Sequence, residues 1–299
     1  MSERPVESPV DAPDLAERAR RCSASARATG ALVSLPSEVH GVEEAGVRFA
    51  VRVLGRLDAR QRSVARPPDP GSDPFLPYEQ ALFVADLSAT HVALLNKFNV
   101  IPLHLLLVTR AYRSQDEPLD ADDFTALWRC LGQIDGLGFY NGGTLAGASQ
   151  PHKHLQIVPP PLGPGSGAAP IPIEPLIAAS IPDDGVGRCE ALPFPHALAS
   201  TVDLASLAPE RAARASVERV RALQQAAAPG AGPQPYNLLV TRRFALWVPR
   251  RRESWHGVPI NGLGFAGALL VRNRAELERL RDCGPLAVLA HVAGSEPPA

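Results

Sequence analysis

The sequence predicts a chain of mixed strand and helix, in which strands come in clusters and helices stand apart from one another. Two observations carry that reading. Apolar runs of strand length cluster at Val47–Leu54, Ala81–Leu87, His91–Val100 and Leu103–Thr109, and again at Tyr236–Thr241, Phe244–Val248 and Phe265–Val271, bounded by turn formers. Helix signals are confined to Leu15–Ala28, the stretch opened by Asp120, Pro209–Ala228 and Arg274–Cys283. At 299 residues the chain is long enough to bury one large core or two small ones.

Taken in order, a Pro/Asp/Glu-rich lead precedes Leu15–Ala28, an Ala/Arg segment with an amphipathic pattern. Val47–Leu54 alternates as a half-buried strand does, and a Pro/Asp/Arg-rich loop follows from Arg66 to Pro77. Leu103–Thr109 is continuously apolar, as a strand buried on both faces must be. Asp120-Ala121-Asp122-Asp123 supplies an N-cap and acidic first turn for a helix through Phe124, Leu127, Trp128 and Leu131. Gly138-Phe139-Tyr140-Asn141-Gly142-Gly143 reads as a strand ending in a glycine turn, and the next strand is stopped by Pro159-Pro160-Pro161. From about 162 to 205 the chain is Pro/Gly/Ala-rich with one apolar patch, Ile173–Ile181, read as a meandering connection or a lid. Asn273 caps the last helix and Gly284-Pro285 ends it. The organisation expected is an N-terminal extension (1–44), a core (45–161), a connection with a helix (162–232) and a C-terminal segment (233–299) packed on the core. One echo stands out: Leu105-Leu106-Leu107-Val108-Thr109-Arg110 recurs as Leu238-Leu239-Val240-Thr241-Arg242. Two related strands in one sheet would put Asn237 and Arg242 near the same site.

A formal net charge of −1 excludes binding to nucleic acid by bulk electrostatics. No apolar run reaches the roughly 20 residues of a membrane span, and Met1-Ser2-Glu3-Arg4-Pro5 lacks a signal-peptide pattern, so a cytoplasmic protein is expected. Cys22, Cys130, Cys189 and Cys283 are scattered without a Cys-x-x-Cys pair, which fits neither a zinc knuckle nor a disulfide framework. Nothing in the sequence sets an oligomeric state.

The informative stretch is Gly147-Ala148-Ser149-Gln150-Pro151-His152-Lys153-His154-Leu155-Gln156. Strand alternation places His152, His154 and Gln156 on one face and Lys153 and Leu155 on the other. Two imidazoles, an amide, the hydroxyl of Ser149 and a turn of small residues suit phosphoryl chemistry, where positioning and charge stabilisation do most of the work. A histidine nucleophile would add a covalent phosphoramidate. Of 30 lysines and arginines only Lys97 and Lys153 are lysine, which points to positions needing a compact charge. Trp128, Trp247 and Trp255 are read as core residues, and Arg250-Arg251-Arg252 as a solvated turn or a seat for a polyphosphate.

With these residues the sequence resembles the histidine-triad (HIT-like) superfamily, and within it the branch of diadenosine tetraphosphate phosphorylases, also called ATP adenylyltransferases. The resemblance rests on Asp73-Pro74-Phe75-Leu76-Pro77, Leu95-Asn96-Lys97-Phe98-Asn99-Val100, His104 to Arg110, Tyr140-Asn141-Gly142-Gly143, Gly147 to Gln156 and Tyr236 to Thr241, and covers most of residues 45–295. It implies an α+β fold: a HIT-like antiparallel sheet with flanking helices, the C-terminal strands and helices completing the same globule. His154 would be the nucleophile that takes the adenylyl group, with His152 behind it, His104 as a supporting imidazole, and Gln156 where hydrolase-type triads have a third histidine. Gly147, Ala148, Ser149, Gln150, Asn141 and Gln156 would hold phosphate oxygens, Asn96 and Lys97 would lie along the nucleotide, and Asn237, Leu238, Leu239 and Arg250 would complete the pocket. Arg48, Arg60 or Arg62 would replace the phosphate-binding lysines of relatives. The implied reaction is phosphorolysis of diadenosine tetraphosphate to ATP and ADP, with no covalent cofactor and a divalent cation such as magnesium carried by the nucleotide. The expected partners are thus a dinucleoside polyphosphate, ATP, ADP and phosphate. The alternatives are a hexose-1-phosphate nucleotidylyltransferase, whose paired cysteines are lacking here, a dinucleoside polyphosphate hydrolase, and a non-catalytic metal-binding module of His104, His152 and His154.

Overall fold

Seven antiparallel pairings build the centre of the molecule, seen in a computed structural model that describes residues 14–55, 73–163 and 169–295. The strands are β1 (Ser37–Glu44), β2 (Val47–Leu54), β3 (Phe83–Asp86), β4 (His91–Leu95), β5 (Leu105–Thr109), β6 (Leu137–Gly142), β7 (His154–Val158), β8 (Ala197–Ser200), β9 (Tyr236–Val240), β10 (Phe244–Pro249), β11 (Ser254–Trp255), β12 (Val258–Pro259) and β13 (Ala268–Val271). The helices are α1 (Leu15–Thr29), α2 (Ala121–Leu131), α3 (Glu174–Ile177), α4 (Val202–Ala205), α5 (Pro209–Ala227), α6 (Gly262–Phe265), α7 (Arg274–Cys283) and α8 (Pro285–Ala293). Eight strands form one sheet in the order β3-β4-β5-β7-β6-β9-β10-β8, and β1-β2-β13 form a second sheet in which β13 runs parallel to β2.

Each face of the large sheet has its own cover. One packs under α1, α2 and α5 through Leu105, Leu107, Tyr140, Leu155, Ile157 and Trp247 on the sheet and Phe124, Leu127, Trp128 and Leu223 on the helices. The other carries the second sheet and the C-terminal helices over Phe139, Val158, Leu239, Leu246 and Val248. Farther along that second face, Val92, Leu94, Leu106 and Val108 lie under Phe75, Tyr78 and Phe83. Between these two covers the face is open, and the functional side chains fall there. The α+β class, the antiparallel sheet and the flanking helices are as expected.

Several elements depart from the sequence reading. Strand β1 went unrecognised because Ser37–Glu44 buries only Val42; as an edge strand it pairs with β2 alone, and the anticipated boundary after residue 44 falls within that hairpin. Gly284, at φ 90°, ends α7, but Pro285 then occupies the first turn of α8 instead of stopping the chain. Pro at that position costs no hydrogen bond, and α8 is apolar nearly all round, so it has no amphipathic signature. The patch at Ile173–Ile181 is no lid, since Ile173 and Ile177 are fully buried in the core. Asp120 does cap α2, in a capping box with Asp123. Trp128, Trp247 and Trp255 are buried in the two cores, and the four cysteines are free thiols.

Candidate active site

The alternation of β7 decides which side chains reach the open face. Leu155 and Ile157 point into the helix-side core, while His154 and Gln156 point the other way, into a cleft with two lobes. One lobe, of about 510 Å³, is lined by Asp73, Phe75, Glu79, Lys97, Gln150 and His154 among others. The second, of about 360 Å³, is more apolar and is lined by Leu35, Arg52, Ile101, His104, Asn141 and Ile260 among others. Asn96, Phe98, Ser149 and Gln156 line both and form the wall between them.

His154 is held in one tautomer. Its Nδ1 donates to the carbonyl of His152 at 2.8 Å, so the free lone pair is on Nε2. Its backbone is fixed as well: β6 and β7 stop pairing beyond Phe139 and Gln156, and the side chain of Gln115 fills the gap. The Gln115 Oε1 accepts from the His154 amide at 2.8 Å, and its Nε2 donates to the Asn141 carbonyl at 2.8 Å. Phe75 packs edge-on against the imidazole, with centroids 5.1 Å apart. Burial, only partly opposed by the bond to the His152 carbonyl, lowers the His154 pKa from 6.5 to about 4. The His154 ring is therefore unprotonated at neutral pH.

Behind it, His152 is fully buried, its Nδ1 facing both carboxylate oxygens of Asp73 at 2.9 Å and its Nε2 facing Thr109. Burial disfavours the Asp73 carboxylate, but the bond from His152 and those from the amides of Phe75 and Leu76 outweigh it and hold its carboxyl below the usual range. Lys153, on the opposite face, is also fully buried; its Nζ meets Asp123 Oδ2 at 2.6 Å and donates to the Pro118 carbonyl at 2.8 Å. A compact ammonium fits that closed site and a planar guanidinium does not.

The second anchor is Gln156. Asn96 donates to His104 Nδ1 at 3.3 Å, and His104 Nε2 donates to Gln156 Oε1 at 2.9 Å. That relay fixes the amide so that its NH2 group faces the cleft. It requires a neutral ring, and burial lowers the His104 pKa to about 4. The turn before β7 offers further donors. Gly147 at φ 85° lets the chain reverse against Ile260 and Asn261, and neither the amides of Ser149 and Gln150 nor the Ser149 hydroxyl is bonded to a described residue. Asn141 accepts from Asn237 Nδ2 and from the Gly262 amide, both at 2.9 Å, which leaves its own NH2 for the cleft.

The family profile of the Ap4A phosphorylase N-terminal domain fits residues 6–179, and that of the ATP adenylyltransferase C-terminal domain fits residues 190–295. The chain belongs to the Ap4A phosphorylase family. Diadenosine 5',5'''-P1,P4-tetraphosphate phosphorylase 2 of Saccharomyces cerevisiae is 29% identical over 274 residues, 79% of this chain and 78% of the relative. Protein APA1 of the same yeast is 39% identical over 104 residues, 30% of this chain and 32% of the relative. The fold is that of yeast Ap4A phosphorylase Apa2 in complex with AMP, with TM-score 0.75 at 22% identity over 96% of this chain and 99% of that one. The Apa2 complex with Ap4A gives 0.73 at 23%, covering 93% and 96%. Membership of this family makes the chain a nucleotidyltransferase.

Against the residue roles that the family resemblance implied, the structure places His154, Gln156, Asn96, Lys97, Asn141, Gly147, Ala148, Ser149 and Gln150 around the cleft. Lys97 is at its rim, ion-paired with Glu79. The amides of Gly147 and Ala148 are committed to the carbonyls of Thr144 and Gly143, so these two shape the turn. Five residues do not touch the cleft, His152 among them, fully buried behind His154. Leu238 and Leu239 alternate into the two cores because β9 is a central strand. Asn237 and Arg250 lie behind the turn: Arg250 is fully buried and donates to Asn237 Oδ1 and to the carbonyls of Ala146, Arg252 and Ile260. Burial lowers its pKa to about 10. Arg242 is remote, because β9 runs opposite to β5 in the sheet and carries it to the end of α2, where it donates to the Leu131 carbonyl. Arg48 faces Glu43, away from the cleft, while Arg60 and Arg62 lie outside the described residues. Among the described residues the arginine that lines the cleft is Arg52. Sequence reasoning gave no role to Asp73, Phe75, Gln115 or Thr109; Asp73 and Phe75 stood in a quoted motif, but nothing local ties them to histidines 79 residues away. Among the described residues no three His, Cys, Asp or Glu side chains gather as a metal site would require, and the ring of His154 bonds to a carbonyl in its own strand.

Proposed function

We propose that this chain splits diadenosine tetraphosphate with inorganic phosphate, giving ATP and ADP, through AMP carried on His154. The observation that carries the reading is the unprotonated His154 Nε2 facing the cleft, its Nδ1–H fixed on the His152 carbonyl. In the first step Nε2 attacks an α-phosphorus and forms an N–P bond; the bond from that phosphorus to the bridging oxygen breaks, and ATP leaves. The Gln156 NH2 group, the Ser149 hydroxyl and the free amides of the turn meet the charge that builds on the equatorial oxygens. The Nδ1–H bond to the carbonyl stabilises the imidazolium formed by attack. In the second step a phosphate oxygen attacks the same phosphorus from the vacated side, the N–P bond breaks, and ADP forms with the nucleophile regenerated.

A glutamine in the third place favours phosphate over water, because its amide can hold an acceptor oxygen but has no proton affinity with which to activate water. A divalent cation such as magnesium enters as part of the polyphosphate substrate, since Asp73, a carboxylate in the same lobe as His154, is committed to His152. The reaction is expected to take place in the cytoplasm.

The test is product analysis with diadenosine tetraphosphate, with and without phosphate. ATP plus ADP formed only when phosphate is present is the expected result, together with one adenylyl adduct on His154 trapped at neutral pH in its absence. ATP plus AMP formed at an equal rate under both conditions would make the enzyme a hydrolase.

A further inference from the structure

Each ring nitrogen of His152 faces an oxygen that can only accept. On one side Nδ1 lies 2.9 Å from each oxygen of the Asp73 carboxylate. On the other, Nε2 lies 2.9 Å from the backbone carbonyl of Thr109. The Thr109 hydroxyl is also 2.9 Å from Nε2, but it is placed equally close to the Ala111 carbonyl, to which it can give its proton. A neutral imidazole has one N–H and would leave a buried acceptor opposed to a lone pair. The ring is moreover enclosed by aromatic walls, with Phe75 at 5.6 Å and Tyr112 edge-on at 5.4 Å between centroids.

We propose that His152 is an imidazolium held by Asp73, and that Asp73 is thereby a positioning residue for adenylyl transfer, its carboxylate fixing a positive charge next to the nucleophile. The titratable groups facing His152 are Asp73 from the segment before β3, Tyr112 from the loop after β5, and His154 from β7. Only the first is anionic. The pair is neutral as a whole, which makes its burial tolerable, yet the cationic member is the one beside His154. It keeps a proton off that ring and helps to balance the phosphoryl anion that docks there. The proposal rests on His154 being the nucleophile only for this consequence; the charge state of His152 stands apart from the reaction catalysed.

Asp73→Asn isolates the charge. The amide oxygen can still accept from the Phe75 and Leu76 amides, which Asp73 Oδ1 does at 2.8 and 3.0 Å, so the segment keeps its turn. The NH2 group would then face His152 Nδ1 and force the neutral, Nε2-protonated ring. The measurement is nitrogen NMR of 15N-histidine-labelled protein without nucleotide, His152 being assigned by its loss in His152→Gln. In wild type both His152 nitrogens should be protonated from about pH 6 to 8, and in Asp73→Asn only one by about pH 8. Adenylyl transfer in Asp73→Asn should slow by roughly tenfold or more, with Asp73→Glu recovering part of the loss. A single-proton His152 in the wild type at neutral pH, or an Asp73→Asn rate within about twofold of wild type, overturns the proposal.

Discussion

Lys153→Met separates the charge of the buried lysine from its bulk. Lys153 and Asp123 both have side chains with no exposure and meet at 2.6 Å, so neither charge has water to fall back on. Methionine retains the apolar stem and removes the ammonium, stranding the Asp123 carboxylate with two donors, the Asp120 amide at 2.8 Å and His91 Nε2 at 3.1 Å. Breaking one side of a buried pair costs about 3–5 kcal/mol, and the two remaining bonds place the expected loss near the lower end, ~3 kcal/mol. Adding Asp123→Asn removes the stranded charge while still offering an acceptor to Asp120 and a donor to His91. The double variant should therefore regain about 2 kcal/mol relative to the sum of the single ones. Lys153→Arg keeps the charge but overfills the site, at about 1–3 kcal/mol. Lys97→Arg, at the cleft rim with a partly exposed Glu79 as partner, should change stability by less than about 1 kcal/mol. Urea unfolding gives these values from the midpoint at constant slope. Lys153→Met within about 1 kcal/mol of wild type, or a cycle with no coupling, would refute the reasoning.

Two further outcomes follow from the geometry. Gly147→Ala places a Cβ 2.6 Å from the Ile260 carbonyl at a φ of 85°, where backbone cannot yield, so kcat/KM should fall by roughly tenfold or more while the far-UV CD is unchanged. Acid stability should reflect His104 and His154, each lowered from 6.5 to about 4 in the folded chain. As pH drops from about 6.5 towards 4 the unfolded chain binds protons that the folded chain refuses, so stability falls across that window, by up to a few kcal/mol for each ring, and levels off below it. Unfolding midpoints measured between about pH 7 and 4 should be less steeply pH-dependent in His104→Phe; an unchanged slope would show that His104 titrates normally in the folded state.

Periodicity located the elements whose faces differ. Strands β2, β9 and β10 and helices α2, α5 and α7 lie within a residue or two of where alternation and caps put them. It failed where one-sidedness is lost: β1 buries a single residue, Val42, at a sheet edge, and α8 is apolar nearly all round. Strand β4 ends at Leu95, short of Val100, because the Asn96 side chain accepts from the Phe98 amide and turns the chain. At the site, residues that act by standing in one strand or turn were legible, His154 and Gln156 above all. Those that act across the fold were not. Nothing near Gln115 announces that it mends a gap between two strands, and nothing near Arg250 distinguishes a guanidinium that braces a turn from one that binds phosphate.

The seam between β6 and β9 has a consequence for how the molecule comes into being. The two profile matches end and begin at residues 179 and 190, yet β6 belongs to the first and β9 to the second, and they pair side by side in the middle of the large sheet from Gly138–Val240 to Gly142–Tyr236. A polypeptide released at the junction would expose β6 as an unprotected apolar edge, open to pairing with another copy. During synthesis the same edge stays bare until β9 emerges, and until the second module follows Asn141 lacks both Asn237 and Gly262. The cleft thus takes its final form only once the second sequence module has joined the first, because one sheet runs through both.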